Sequence, residues 1–405
     1  MSPVTLLRNP PLSVYVHLPW CVRKCPYCDF NSHAIEGPVP EKRYLAALDR
    51  DLEFQTAGVR DRSVLSIFFG GGTPSLFSPD AIGEVIQSIR VRLDVAAAAE
   101  ITLEANPGTV ERGRFAEYRS AGVNRVSLGG QSFNDRHLKL LGRIHSAAET
   151  RAAAEELHAA GLDNFNIDLM YGLPQQSVDD ALEDLHAAIA LRPRHLSHYQ
   201  LTLEPGTVFY HQPPPLPDDE DTWQMQLGCQ EALAASGYAQ YEISAYAQAG
   251  RECAHNLNYW QFGDYLGIGA GAHGKVTEAD AGLISRTACL RQPRKYLESL
   301  ETGSPATERC IVPPADRPFE FMLNALRLPA GFEAPLFESR TGETMDSIRQ
   351  ALDTGRRRGL IETQGERYFP SALGLRFLND LQRLFLPSRS EERQRNPRPQ
   401  VVNLL

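Results

Sequence analysis

The feature that most constrains this chain is the spacing of three cysteines in Trp20-Cys21-Val22-Arg23-Lys24-Cys25-Pro26-Tyr27-Cys28-Asp29-Phe30, just after the apolar segment Leu12 to Leu18. Three thiolates on one short loop can hold three irons of a 4Fe–4S cube. Protein clusters normally have four cysteine ligands, so an open corner implies a ligand from elsewhere. A structural zinc site is the competing reading, since His17 and His33 flank the loop, but its x3-then-x2 spacing is unusual for zinc. Disulfides fit poorly, because seven cysteines in 405 residues form no framework. Cys229, Cys253, Cys289 and Cys310 read as scattered small hydrophobes.

Composition bounds the rest. Apolar content of 42% and charged content of 22% are those of a soluble globular protein long enough for two or three domains. A net charge of −9 opposes general nucleic-acid binding. No apolar run reaches the roughly 20 residues of a membrane helix, and Met1 to Pro10 has no signal-peptide pattern. A reducing cytoplasm is the expected home for free thiols and such a cluster.

Short β-branched or aromatic runs alternate with amphipathic stretches over the first 200 or so residues. The strands predicted are Ser13–His17, Leu65–Phe69, Glu100–Glu104, Arg125–Leu128, Asn164–Leu169 and Leu196–Leu201. Helices are predicted from Glu41, from Asp80 behind the capping residue Ser78, and over Glu111–Ser120, Ala147–Ala160 and Val178–Leu191. Six βα units imply a parallel sheet with right-handed crossovers, short of the eight that close a full barrel. Ligand sites in such folds lie after the strands. There the chain places the cysteine loop, the run Gly70-Gly71-Gly72-Thr73-Pro74, Glu104, and Asp168 inside an apolar strand. The glycines read as backbone that approaches a ligand or as a tight turn. Glu104 reads as an acceptor for a ribose diol or as a solvated strand-end charge.

The cysteine spacing and the aromatic Tyr27 beside Cys28 resemble the signature of radical S-adenosylmethionine (SAM) proteins. That resemblance implies an open partial (β/α)6 barrel, with SAM chelating the fourth iron and cleaved to a 5′-deoxyadenosyl radical. Together with Gly129-Gly130-Gln131-Ser132-Phe133 and Asp168-Leu169-Met170-Tyr171-Gly172-Leu173-Pro174, the motifs resemble one subfamily over about residues 11 to 385. It contains the HemN-type anaerobic coproporphyrinogen dehydrogenases and the HemW-type haem chaperones. By that resemblance Tyr15, Tyr27, Gly71 and Glu104 surround the cluster-bound SAM. Gly72, Thr73, Gln131, Arg143 and Asp168 match positions that contact a second SAM in the dehydrogenase.

Two departures separate the siblings. The dehydrogenase pattern has a fourth cysteine where this chain has Phe30, and a long N-terminal arm where only 14 residues precede Tyr15. His255-Asn256-Leu257-Asn258-Tyr259-Trp260 matches the chaperones' H-N-x-x-Y-W motif. This makes His255 a candidate haem ligand, with His273 behind it, against the alternative of a hydrogen-bonded histidine shaping a loop. The expectation is a haem chaperone with a 4Fe–4S cluster (Cys21, Cys25, Cys28) and SAM, serving a haem acceptor protein and fed by a reductase or flavodoxin-like donor. Coproporphyrinogen decarboxylation is the alternative.

The expected domains are an extension (1–10), a radical SAM core (11–240), a connecting segment (241–310), a mainly helical, winged-helix-like accessory domain (311–386) and a disordered tail (387–405). A hairpin wing around Gln364-Gly365 and the run Arg356-Arg357-Arg358 raise DNA binding, which the overall charge opposes.

Overall fold

The computed structural model describes residues 6–59, 61–108, 113–304 and 306–387. The first five residues, the start of the helix expected from Glu111 and the tail beyond 387 lie outside them. Seven parallel strands form the centre of a twelve-stranded sheet. In spatial order they are β11 (Asp264–Ile268), β1 (Leu12–Leu18), β4 (Ser63–Gly71), β5 (Asp94–Ala105), β6 (Arg125–Gln131), β7 (Phe165–Tyr171) and β8 (His195–Gln200). The two-residue strands β2 (Trp20–Cys21) and β3 (His33–Ala34) pair with each other and close the neck of the cysteine loop.

The six expected strands are present, five of them longer than predicted and the sixth shifted by one residue. The sheet is wider than six units because the segment 241–310 is not merely a connector. It supplies β10 (Ala245–Ala247), which with β9 (Ala239–Glu242) extends one edge, and β11 to β14 at the other edge. There β12 (His273–Glu278), β13 (Leu283–Cys289) and β14 (Thr307–Ile311) add in antiparallel order beyond β11.

Alternation along the strands gives the open barrel one helix-covered apolar face and one polar inner face. Val14, Val16, Ile67, Phe69, Leu103 and Ile167 point outward beneath the helices and are fully buried. Their neighbours point inward and are polar, as with Ser13, Ser66, Glu104, Ser127, Asn166 and Asp168. The covering helices start where the sequence caps them. Ser78 accepts from Ala81 N ahead of Pro79–Arg92, and Ser146 and Ser177 form capping boxes with Glu149 and Asp180. Short helices over Asp135–Leu140 and Val208–His211, and a long one over Asp219–Ala235, were not expected.

The C-terminal part packs five short helices around a three-stranded sheet of β15 (Phe332–Glu333), β17 (Arg367–Pro370) and β16 (Ile361–Gln364). Its core of Phe321, Met322, Phe337 and Leu381 also takes in Phe262 from the turn before β11 and Ile284 from β13 of the large sheet. Below this joint lies a buried ion pair. Lys275 Nζ donates to Asp264 Oδ1 at 2.7 Å, and Arg62 reaches Oδ2 at 2.8 Å. Thr277 donates to the same carboxylate through N and Oγ1. Removing one partner of a buried pair leaves an uncompensated charge, at a cost of about 3–5 kcal/mol. Asp264→Ala is therefore expected to lower the urea midpoint of the whole chain by a corresponding amount, measured by circular dichroism.

Candidate iron–sulfur and SAM site

The cysteine loop leaves β1 at the barrel's C-terminal end and is held from several directions. His17 Nε2–H donates to Asn31 O at 2.9 Å, so Nδ1 accepts from Tyr15 Oη at 3.0 Å. Asn31 Nδ2 donates to Ala270 O at 2.8 Å and Arg291 O at 2.9 Å, tying the loop to the glycine-rich turn after β11. On the other side Phe209 N donates to Pro26 O at 3.0 Å. With both nitrogens engaged and burial pushing its pKa down to about 4, His17 is not placed as a metal ligand.

All three thiols of the loop are half-buried and unpaired by disulfides. Each faces one side-chain hydroxyl or guanidinium: Thr73 Oγ1 at 3.6 Å from Cys21, Arg143 Nη1 at 3.7 Å from Cys25, and Ser32 Oγ at 3.9 Å from Cys28. Among the described residues no three His, Cys, Asp or Glu side chains converge on one ion position. A cube differs from a zinc ion in this respect, because each thiolate binds a different iron. Three soft thiolates beside a cation therefore fit an iron–sulfur group better than zinc. Burial raises the Cys21 and Cys28 pKa values, so metal loading must displace protons.

Arg143 links the strand ends. Its Nη2 donates to Asn106 Oδ1 and to Gly129 O, the latter at 2.9 Å, while Asn106 Nδ2 donates to Thr73 Oγ1 at 2.9 Å. Tyr27 lies beside Arg143 and packs on Phe209, and burial holds its hydroxyl protonated. Asn106, Asn31 and Ser32 were not singled out from sequence. An asparagine that ends a strand in a ligand-bearing layer was the available signal for Asn106.

Glu104 on β5 and Asp168 on β7 project into the barrel on either side of β6. Burial, and then Asp168's charge, push Glu104 up to about 8 even though Gly71 N donates to it at 3.1 Å. Asp168, its pKa raised by burial, accepts from Asn166 Nδ2 at 2.7 Å and Ser127 Oγ at 3.4 Å. Two desolvated carboxylates in one chamber favour a cationic ligand. Gln131, at φ 66°, ends β6 and accepts from Tyr199 Oη at 2.8 Å.

The glycine run has a reason the sequence did not reveal. A Cβ on Gly71, at φ +119°, would sit 2.7 Å from the His17 ring, and one on Gly72 would sit 2.5 Å from Trp20 O. The chain itself, rather than a ligand alone, takes the space those side chains would need.

His255 lies in the helix Ala254–Trp260, capped by Glu100, and is 1% exposed. Its Nδ1 meets Ser66 Oγ and its Nε2 meets Tyr259 Oη, each at 2.9 Å, while its ring stacks on Phe68. Both ring nitrogens thus have hydrogen-bond partners on the protein. Asn258 bonds Ser13 of β1, and Trp260 carries Arg327 at 4.3 Å, so the motif joins the barrel to the C-terminal domain. His273 is half-buried, with Arg286 and Arg291 lowering its pKa beyond the effect of burial.

Residues 15–188 match the Radical SAM superfamily model, and residues 312–377 match the HemN C-terminal domain. A protein called "Heme chaperone HemW" from Escherichia coli K12 is 49% identical over 381 residues, 94% of this chain and all of that one. A protein of the same name from Haemophilus influenzae is 48% identical over 94% of this chain and 99% of its own. The chain belongs to the HemW family of radical SAM proteins. Its fold is also that of the solved E. coli coproporphyrinogen III oxidase HemN, with TM-score 0.79 at 22% identity, covering 93% of this chain and 90% of that one.

Burial pushes the His255 pKa down to about 3, so the folded ring stays neutral where an unfolded one, at about 6.5, takes up a proton. Its contribution is complete above about pH 6.5 and is lost as pH falls toward 3. His255→Gln should lower the urea midpoint at pH 7 by leaving Ser66 and Tyr259 poorly paired. It should also weaken the decline in stability between pH 7 and pH 5, measured on the cluster-free chain.

Proposed function

We propose that this protein binds haem and passes it to an acceptor protein, using a 4Fe–4S cluster on Cys21, Cys25 and Cys28 with SAM at the open iron. The observation that carries this reading is full-length similarity to haem chaperones, combined with Phe30 where the dehydrogenase pattern has a fourth cysteine. Bound there, the cluster and SAM supply one-electron chemistry at the sulfonium. The chain's own part is to hold them. Thr73, Arg143 and Ser32 orient the three thiolates, and Glu104 and Asp168 offer carboxylates to a cationic ligand. Tyr15, Tyr27, Gly71, Gly72 and Gln131 line or support that chamber. The electron donor is a reductase or a flavodoxin-like protein. Among the described residues no helix is long and apolar enough to cross a membrane.

Haem is cargo in this reading, so its ligand must be reachable. Because both His255 nitrogens are hydrogen-bonded, we place His273 and His211 ahead of it in that role. His211 is exposed beside Tyr210, two residues after Phe209, whose N–H donates to Pro26 O of the cysteine loop. Anaerobic reconstitution followed by haem titration should give a stoichiometric Soret shift, and coproporphyrinogen should yield no protoporphyrinogen. His255→Ala should keep the haem spectrum while losing thermal stability, whereas His211→Ala combined with His273→Ala should lose it. Substantial SAM-dependent decarboxylation would overturn the chaperone reading in favour of the dehydrogenase.

A cation near the barrel carboxylates makes their ionisation easier. SAM binding should therefore release a proton near pH 7, because Glu104 stays largely protonated below about 8 without it. Calorimetry in two buffers of different ionisation enthalpy reads that proton, and Glu104→Gln should remove it.

A further inference from the structure

We infer that Arg143 is a positioning residue that sets the reduction potential of the cluster and couples two of its ligands. The inference rests on the reading of the cysteine loop as an iron–sulfur site. Three observations carry it. The guanidinium Nη1 points at Cys25 Sγ at 3.7 Å. Nη2 is fixed by Gly129 O and by Asn106, which in turn holds the Thr73 hydroxyl that faces Cys21. The remaining nitrogen, Nε, is buried with no protein partner among the described residues. A cation is thus clamped beside one ligand, and a single chain of side chains, Cys25–Arg143–Asn106–Thr73–Cys21, spans the base of the site.

Reducing a cluster adds one negative charge to a group already negative. A fixed positive charge beside a ligand sulfur stabilises the reduced form more than the oxidised one and raises the potential. A hydroxyl donated to a thiolate acts in the same direction but more weakly, because it carries no net charge. Thr73 is therefore a smaller contributor on the same circuit. Lysine at 143 would keep the charge but lose the planar fork that grips Asn106 and Gly129 together.

The resemblance to the dehydrogenase gives Arg143 a different task, contact with a second SAM. That task would leave the cluster's potential unchanged when SAM is absent, and the two roles separate on this point.

The test uses the full-length chain, reconstituted anaerobically without SAM and titrated with dithionite while the reduced cluster is followed by electron paramagnetic resonance. Iron and sulfide are measured first. Arg143→Gln should shift the midpoint potential to more negative values, Thr73→Val should shift it the same way by less, and Arg143→Lys should recover part of the loss. An unchanged potential in Arg143→Gln at full iron content would overturn the inference, as would Arg143→Lys shifting as far as Arg143→Gln. If Arg143→Gln holds no cluster, Arg143→Lys and Thr73→Val decide: both must lie below the parent, and parental potentials in both would overturn it. Failure of the parent chain to take up iron and sulfide would sink the cluster reading instead.

Discussion

The rest of the molecule depends on a sheet that carries hydrocarbon on one face and polar groups on the other. The outward face is satisfied by helices, but inward groups such as Glu100, Arg125, Asn166 and His195 must satisfy one another. They do so laterally, strand to strand: His195 bonds Asn166 at 2.7 Å and Tyr241 at 2.7 Å, and Arg125 lies 3.8 Å from Glu100. This lining fixes the register of each strand, because a slip of one residue would turn charge into the helix layer and leucine into the chamber. It also sets Glu104 and Asp168 on the same inner face as the end of the cysteine loop's strand, β1.

The cysteine loop inherits its position from that lining. Tyr15 and His17 are inward residues of β1, and their mutual hydrogen bond continues to the carbonyl of Asn31 at the loop's far end. The β2–β3 ladder pinches the neck, and the missing side chains at Gly71 and Gly72 let β4 pass against it. The loop is thus held both by strand geometry and by its own turns, in which Lys24 Nζ donates to Phe30 O at 3.1 Å and Ser32 O at 3.2 Å and Cys28 N donates to Cys25 O at 3.2 Å.

Much of this was legible in the sequence. The six central strands, the capping serines and the cysteine triplet all arise from local patterns, and local patterns survive folding. Asp168 was legible for a related reason, since a carboxylate inside an apolar strand must point away from the helices. What escaped was set by tertiary contact. The edge strands β12 to β14 have no apolar alternation of their own, because one of their faces carries Lys275 and Arg286 to buried partners. The His255 motif leaves a haem ligand and a loop-shaping histidine both open in the sequence, and only the fold brings Ser66 and Tyr259 to its two nitrogens. The glycine run points to close approach without saying what approaches.

Asn31 gives the architecture a further consequence. Its amide bridges the loop to Ala270 and Arg291, residues that lie far beyond the stretch matched by the superfamily model. The signature motif and the fold that defines the superfamily are therefore not a self-sufficient cassette in this chain. A graft of the first six strands onto another scaffold would carry the cysteines but not the turn that steadies them. Evolutionary exchange of the segment after residue 240 would alter the cofactor's seat without touching any residue of its recognised motif.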